Sequence, residues 1–272
     1  MTIRTYLITI AAVGAAALLW PQSCLAWGTE GHQIIAYVAA TELTPAARAQ
    51  VRQLLGNEPE YAMVEASTFA DDIKAKRPET SAWHAVNIPT DSSGYDARRD
   101  CPRDACVVAQ IERNERIVAD RSRSRAVRAE ALRFLIHFIS DVHQPLNAAD
   151  NRDRSAGNIG VMLQGRQTNM YAVWNVDLLR VLGKNGEAAA GRIQDDLASA
   201  DKTAWQFGSA EIWANESFEI AKQEVYSQIA AGNGSKPIVL PREYPAIEEN
   251  IVKVQLEKAA LRLAWVLNRA LN

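Results

Sequence analysis

Beyond residue 26, apolar residues recur every three or four positions through most of the chain, the spacing of helices with one face turned to a core. Ile34, Ile35, Val38 and Ala39 mark a helix over 30–44, and Pro45 opens the next, over 46–55. Similar spacing predicts helices over 104–120, 125–143 (ending before Pro145), 168–182 (stopping at Gly183), 210–229 and 247–271. In the last, Ile247, Ile251, Val254, Leu261 and Trp265 share a face. Two stretches, 85–103 and 146–167, break the pattern and read as irregular loops. Each directly follows a histidine-bearing segment, where active-site loops tend to sit. No repeat or domain linker interrupts residues 27–272, and the loop Gly232-Asn233-Gly234-Ser235 is too short to divide them. The expected fold is all-α, a single mainly helical domain.

The first 26 residues read differently. Arg4 precedes the apolar run from Tyr6 to Val13, which continues to Leu18 and Leu19, and Cys24-Leu25-Ala26 places small residues before a cut. That is the pattern of a secretory signal peptide, and the run falls short of the ~20 residues a membrane span needs. The expectation is export to the periplasm or beyond, with no membrane anchor and Trp27 as the new first residue. The chain has 272 residues, 48% hydrophobic and 23% charged, enough for a full core and too apolar for a disordered tail. Its formal charge is -2, or -3 once Arg4 is removed, so no basic excess advertises nucleic-acid binding. An anionic substrate would need a local device, such as bound metal.

Cleavage would leave two cysteines, Cys101 and Cys106, in a polar stretch with Pro102 and Asp104. Five apart in an exported chain, they read as a small disulfide-closed loop. A thiolate zinc site is the weaker reading, because such sites usually need two pairs.

The four histidines stand beside informative neighbours. His137 and Asp141 are four apart within a helix that also holds Leu132, Leu135, Ile136 and Ile139. An imidazole and a carboxylate on one face of so apolar a segment need each other or a metal. His84 follows Trp83, downstream of Phe69-Ala70-Asp71-Asp72. His32 sits five residues after the expected terminus, whose free amine could itself coordinate a metal. Each residue alone has an ordinary reading as a hydrogen-bonding or surface group, whereas one metal site accounts for all of them.

Taken together the motifs resemble the zinc-dependent single-strand nucleases and 3′-nucleotidases of the mung bean nuclease type, within the zinc phospholipase C superfamily. The resemblance runs over the whole of 27–272. It rests on Trp27-Gly28-Thr29-Glu30-Gly31-His32, Phe69-Ala70-Asp71, Trp83-His84, and the run from His137 through Asp141, His143 and Gln144-Pro145-Leu146. Further on it takes in Gly157-Asn158, Asn169, Val173-Trp174 and Trp213-Ala214-Asn215-Glu216-Ser217, and the cysteine pair matches a small disulfide of the family. It implies a helical fold with a zinc cluster at the bottom of a cleft. Asp71, His84, His137 and Asp141 would hold one zinc; the amine and carbonyl of Trp27, with His32 and a bridging Asp141, would hold a second. These nitrogen and oxygen donors suit Zn²⁺. His143 matches no ligand and is expected to hydrogen-bond at the helix end.

The chain departs from the family at the third zinc. Where the pattern has His, His and Asp, this sequence has Asn147, Tyr171 and Asn175. Two zinc ions are therefore expected, with the third position degenerate. Lys74 matches a residue that contacts substrate phosphate, Asn158 one that recognises a base, and Asp71 would help orient the attacking water. Ala85 stands where the family commonly carries an aromatic. The resulting expectation is a monomeric, exported zinc phosphoesterase acting on single-stranded DNA or RNA, or on nucleotides. The alternative is a catalytically silent relative that binds zinc or phosphate ligands.

Overall fold

A computed structural model describes residues 27–229 and 237–272; the expected signal peptide and the Gly232–Ser235 loop lie outside the described residues. The chain runs through α1 (Thr29–Thr41), α2 (Pro45–Leu55), α3 (Pro59–Ala66), α4 (Phe69–Ile73) and a 3-10 turn Pro78–His84. β1 (Ile88–Pro89), α5 (Ala97–Asp100), α6 (Val107–Ala119) and α7 (Arg125–Val142) follow. A 3-10 turn, Pro145–Asn147, leads to β2 (Ala149–Asp150), β3 (Gly160–Leu163), β4 (Arg166–Asn169) and α8 (Met170–Ala172). The last elements are α9 (Gly186–Ser199), α10 (Ala210–Ile220), α11 (Ser227–Ile229), β5 (Ile238–Val239) and α12 (Tyr244–Ala270).

The helix starts follow local chemistry. Thr44 caps α2 by accepting from the Ala47 amide, with Pro45 in the first turn, and Gly56 ends the helix at φ +90°. Ser124, Asn185 and Ser209 cap α7, α9 and α10 the same way. α7 lies at the centre, packed against α1, α2, α3, α4, α6, α10 and α12. From Phe134 to Val142 every side chain is buried, so both faces of this helix are core faces. α12, the longest helix, runs against α1, α6 and α7.

Four helices were not expected, one of them α5 within the stretch 85–103 that reads as a loop. α3 and α4 are too short to show a period, and α9 carries small, polar residues around Ala189, Ala190, Ile193 and Leu197. The stretch 146–167 is not wholly irregular: β3 and β4 form a hairpin whose turn places Gln164 and Gly165 at φ +50° and +82°, and β5 adds beside β3 in parallel. The helix expected over 168–182 starts at Met170 and opens into a π segment, Val173–Asp177, before a 3-10 end. Cys101 and Cys106 form the expected disulfide. Among the described residues, no helix is long and apolar enough to cross a membrane.

Candidate metal centre

Four separate elements bring the expected ligands together. α1 supplies His32, the short helix α4 supplies Asp71, the 3-10 turn ends on His84, and α7 supplies His137 and Asp141 one turn apart. His32, His84, His137 and Asp141 are buried, and Asp71 lies at the partly open edge. His84 Nδ1 and His137 Nε2 stand 3.0 Å apart, and both face Asp141 Oδ2, at 2.9 and 3.2 Å. Asp71 Oδ1 lies 3.7 Å from each of the same nitrogens. His32 Nε2 is 3.5 Å from the other oxygen of Asp141, Oδ1, and its ring stacks on His137 with centroids 4.1 Å apart. Asp141 thus turns one oxygen to His84 and His137 and the other to His32.

Orientation is set from behind. His137 Nδ1–H donates to the Ser67 carbonyl at 2.6 Å, which leaves the Nε2 lone pair facing the cluster. Both ring nitrogens of His32, Nε2 of His84 and Oδ1 of Asp141 lack hydrogen-bond partners among the described residues. Buried polar atoms left unpaired are costly unless something else satisfies them, and their concentration here marks a site for a cation.

The electrostatics agree. Burial alone would raise Asp141, but His137 and His84 outweigh it and hold the carboxyl far below the usual range. Burial also works against Asp71, which His137, His32 and Lys74 pull down on balance. Burial drives His32 down to about 3 and lowers His84 as well. For His137 burial is overcome by Asp141 and Asp71, and its basicity is raised.

The remaining expected residues divide. Lys74 Nζ sits 2.6 Å from Asp71 Oδ1, at the edge of the cluster. Trp27 is buried against Gly31, where an added Cβ would lie 2.7 Å from Trp27 Cβ, and the Gly28 amide donates to the Asn175 carbonyl. Asn158 is exposed in the loop before β3; among the described residues no hydrogen bond joins its side chain to the cluster. Asn147, Tyr171 and Asn175 are buried beside the cluster and belong to one neutral network. Asn147 Nδ2 donates to the carbonyls of His84 and Asp141, and the Tyr171 hydroxyl donates to Asn147 Oδ1 at 2.9 Å. The Gln144 amide donates to Asn175 Oδ1 and its own oxygen accepts from the Leu146 amide.

His143 hydrogen-bonds at the end of α7 as expected, but the partners that make it a brace, Arg262, Glu216 and Gln255, were not anticipated. His143 Nδ1–H donates to the Ile139 carbonyl, and Nε2 accepts from Arg262, itself buried and bound to both oxygens of Glu216. Ser217 Oγ donates to the Val142 carbonyl and Gln255 to that of His143. The carbonyls of the last turn are thereby satisfied, and Asp141 is held in register. A signal existed: Arg262 interrupts the apolar run Ala259-Ala260-Leu261 and Leu263-Ala264, and a charge there implies a buried partner.

A helical fold with a buried His/Asp cluster, edged by Asp71 and Lys74, defines a class of candidate metallohydrolase. Residues 27–272 match the family model described as S1/P1 nuclease, and the chain belongs to that family. It is 28% identical over 267 residues to endonuclease 2 of Arabidopsis thaliana, covering 89% of this chain and 90% of the relative. Against nuclease S1 of Aspergillus oryzae the identity is 25%, covering 93% and 95%. Against nuclease P1 of Penicillium citrinum it is 26%, covering 88% and 96%.

Proposed function

We propose that the chain is an exported, zinc-dependent phosphoesterase, an endonuclease and 3′-nucleotidase acting on single-stranded DNA or RNA. The observation that carries this reading is the close set His84 Nδ1, His137 Nε2, Asp71 Oδ1 and Asp141 Oδ2. The five separations that involve a histidine nitrogen, 2.9 to 3.7 Å, bracket the edge of about 3.3 Å that tetrahedral Zn²⁺ requires at bonds of ~2.0–2.1 Å. The donors, imidazole and carboxylate, suit the same ion.

In this reading His84, His137, Asp71 and Asp141 hold one zinc. His32, the second oxygen of Asp141 and the Trp27 amine and carbonyl hold another, the amine being released by cleavage after Ala26. Bound zinc supplies Lewis acidity toward the phosphate and lowers the pKa of water toward ~7. Asp71, at the open edge, accepts a hydrogen bond from the attacking water and orients it. Lys74 offsets charge on the phosphate. The Asn147–Tyr171 pair and Asn175 offer neutral hydrogen-bonding groups in place of a third ligand set, so two zincs are expected and leaving-group stabilisation is reduced.

Elemental analysis of the purified mature chain, with hydrolysis of single-stranded DNA before and after chelation, tests this. Two zincs and chelator-sensitive cleavage are expected. Zinc-free protein, or cleavage indifferent to chelation, overturns the reading. Three zincs overturn the closed third position. The change Asn147→His, Tyr171→His and Asn175→Asp should add a third ion and raise turnover about tenfold or more.

A further inference from the structure

The charge of the chain is unevenly distributed. Residues 113–133 hold seven arginines and three acids, against a whole-chain balance of -2. This segment belongs to the hairpin of α6 and α7, and beside its guanidinium groups lie the half-buried rings of Phe69 on α4 and Trp83 on the 3-10 turn, packed on the buried Phe134. Arg113 lies over the Trp83 ring at 6.0 Å, Arg133 over Phe69 at 5.7 Å and Arg77 over Phe134 at 5.5 Å. Arg77 is paired with Glu79 and Glu130. Among the described residues, Arg113, Arg125 and Arg133 have no carboxylate within ion-pair distance. A cavity of about 270 Å³, lined by Arg77, Trp83, Arg113 and Phe134 among others, adjoins a second of about 530 Å³ lined by Phe69, Arg125 and Arg133; Ala126 and Glu130 line both.

The patch is linked to the metal centre through neighbouring residues and buried rings. Trp83 precedes His84, and Phe69 shares α4 with Asp71. Phe69 and Trp83 both meet the edge or face of Phe134, which stacks on Phe138, and Phe138 meets His84 at 5.3 Å. Lys74 and Arg77 follow Asp71 in steps of three residues.

We infer that this α6–α7 face is a second contact surface for single-stranded polynucleotide, gripping the strand outside the metal centre through arginine–phosphate contacts and base contact with Trp83. The inference rests on the phosphodiesterase reading above. Unpaired guanidinium groups match a row of phosphates in charge and fork geometry, and rings interleaved with them offer stacking surfaces for bases of any sequence. A dinucleotide held at the metal centre is too short to use this surface; a long strand is not.

The test uses the zinc-loaded protein with two substrates, an oligothymidylate of about 30 nucleotides and the dinucleotide of the same base. The double variant R113E/R125E should raise KM for the long strand about tenfold and leave the dinucleotide's kcat and KM unchanged. The salt dependence of kcat/KM on the long strand should flatten, each lost phosphate contact removing ~0.7 from the log–log slope. The charge-preserving R113K/R125K should retain long-strand KM within about threefold of the parent. Unchanged long-strand kinetics in a folded R113E/R125E protein, or an equal loss on both substrates, overturns the inference. If the parent cleaves neither substrate, the activity reading fails separately, and anisotropy of a labelled long strand still decides the surface: weaker binding to R113E/R125E supports it and equal binding overturns it. Reduced binding to phosphatidylglycerol vesicles with unchanged oligonucleotide binding would identify a lipid surface instead, and also overturns it.

Discussion

Two polar regions meet at Asp141, and they solve burial in opposite ways. Its side chain belongs to the cluster with His32, His84, His137 and Asp71, where several nitrogen and oxygen atoms face one another without hydrogen-bond partners. Its backbone carbonyl belongs to the neighbouring network, where Asn147 donates to it and Tyr171 donates to Asn147. The first region holds lone pairs that the protein leaves unused; in the second, donors are matched to acceptors. Both occupy positions that the family resemblance associates with metal ligands. The difference lies in what the side chains can do for each other: amides and a phenol satisfy themselves, whereas imidazoles and carboxylates crowded together invite a cation.

Removing the shared residue should break the comparison most severely. Asp141→Asn keeps the shape but takes away the charge facing three histidines. The expected result is loss of at least one zinc and a fall in kcat/KM of about a thousandfold, ~4 kcal/mol of transition-state stabilisation. Asn147→Ala, on the other side, should keep both ions. If Asp141→Asn retains two zincs by elemental analysis and cleaves at the parent rate, the cluster is not a metal centre and the contrast between the two regions disappears.

How much of this was legible beforehand follows from the kind of signal each residue carries. His137 and Asp141 could be paired from sequence because helical spacing converts a separation of four into a shared face. His32, Asp71 and His84 come from three further elements, and nothing in periodicity could join them; the family motifs did. The long helices showed their period, whereas α3 and α4 had too few turns to show one, and β3 with β4 alternated too briefly within 146–167. Tyr171 and Asn175 were expected on one helical face. In the structure a π segment begins between them, and each reaches a residue of 144–147. The brace joins His143 to Arg262, 119 positions on, and Arg262 to Glu216, 46 positions back; the hydrogen-bonding role of His143 was expected, but only Arg262's apolar setting hinted at its partner.

Acid should separate the regions next. In chelated protein, burial holds His32 near 3 while the unfolded chain titrates near 6.5. As pH falls from 6.5 toward 3 the unfolded state takes a proton that the folded state refuses. Stability therefore drops by about 1.4 kcal/mol per pH unit from this group. His84 acts in the same direction. His137 is raised and acts oppositely: its contribution is present in acid and is lost as pH rises through its folded value. Amides do not titrate, so Asn147 and Asn175 add no slope. Urea unfolding between pH 4 and 6.5 should show a shallower acid limb in His32→Gln than in the parent, and an unaltered one in Asn147→Ala. Identical slopes in the parent and His32→Gln would mean that His32 is not held neutral by burial.

The smallest effect should come from Tyr171→Phe, and its size is what distinguishes a self-satisfied network from a ligand set. The hydroxyl donates to Asn147 Oδ1 at 2.9 Å in a buried setting, while both hydrogens of the Asn147 amide remain engaged with the carbonyls of His84 and Asp141. Loss of the hydroxyl removes one neutral hydrogen bond and leaves one acceptor less well paired, a cost of ~1–2 kcal/mol. The amide still ties the end of the Pro78–His84 turn to the end of α7, so His84 and Asp141 keep their spacing. Zinc content should stay at two, and kcat/KM should change by less than about threefold. A lower melting temperature with unchanged metal and turnover is the expected outcome. If the substitution instead removes a zinc, the phenol is serving as a ligand, and the two regions form one larger metal site.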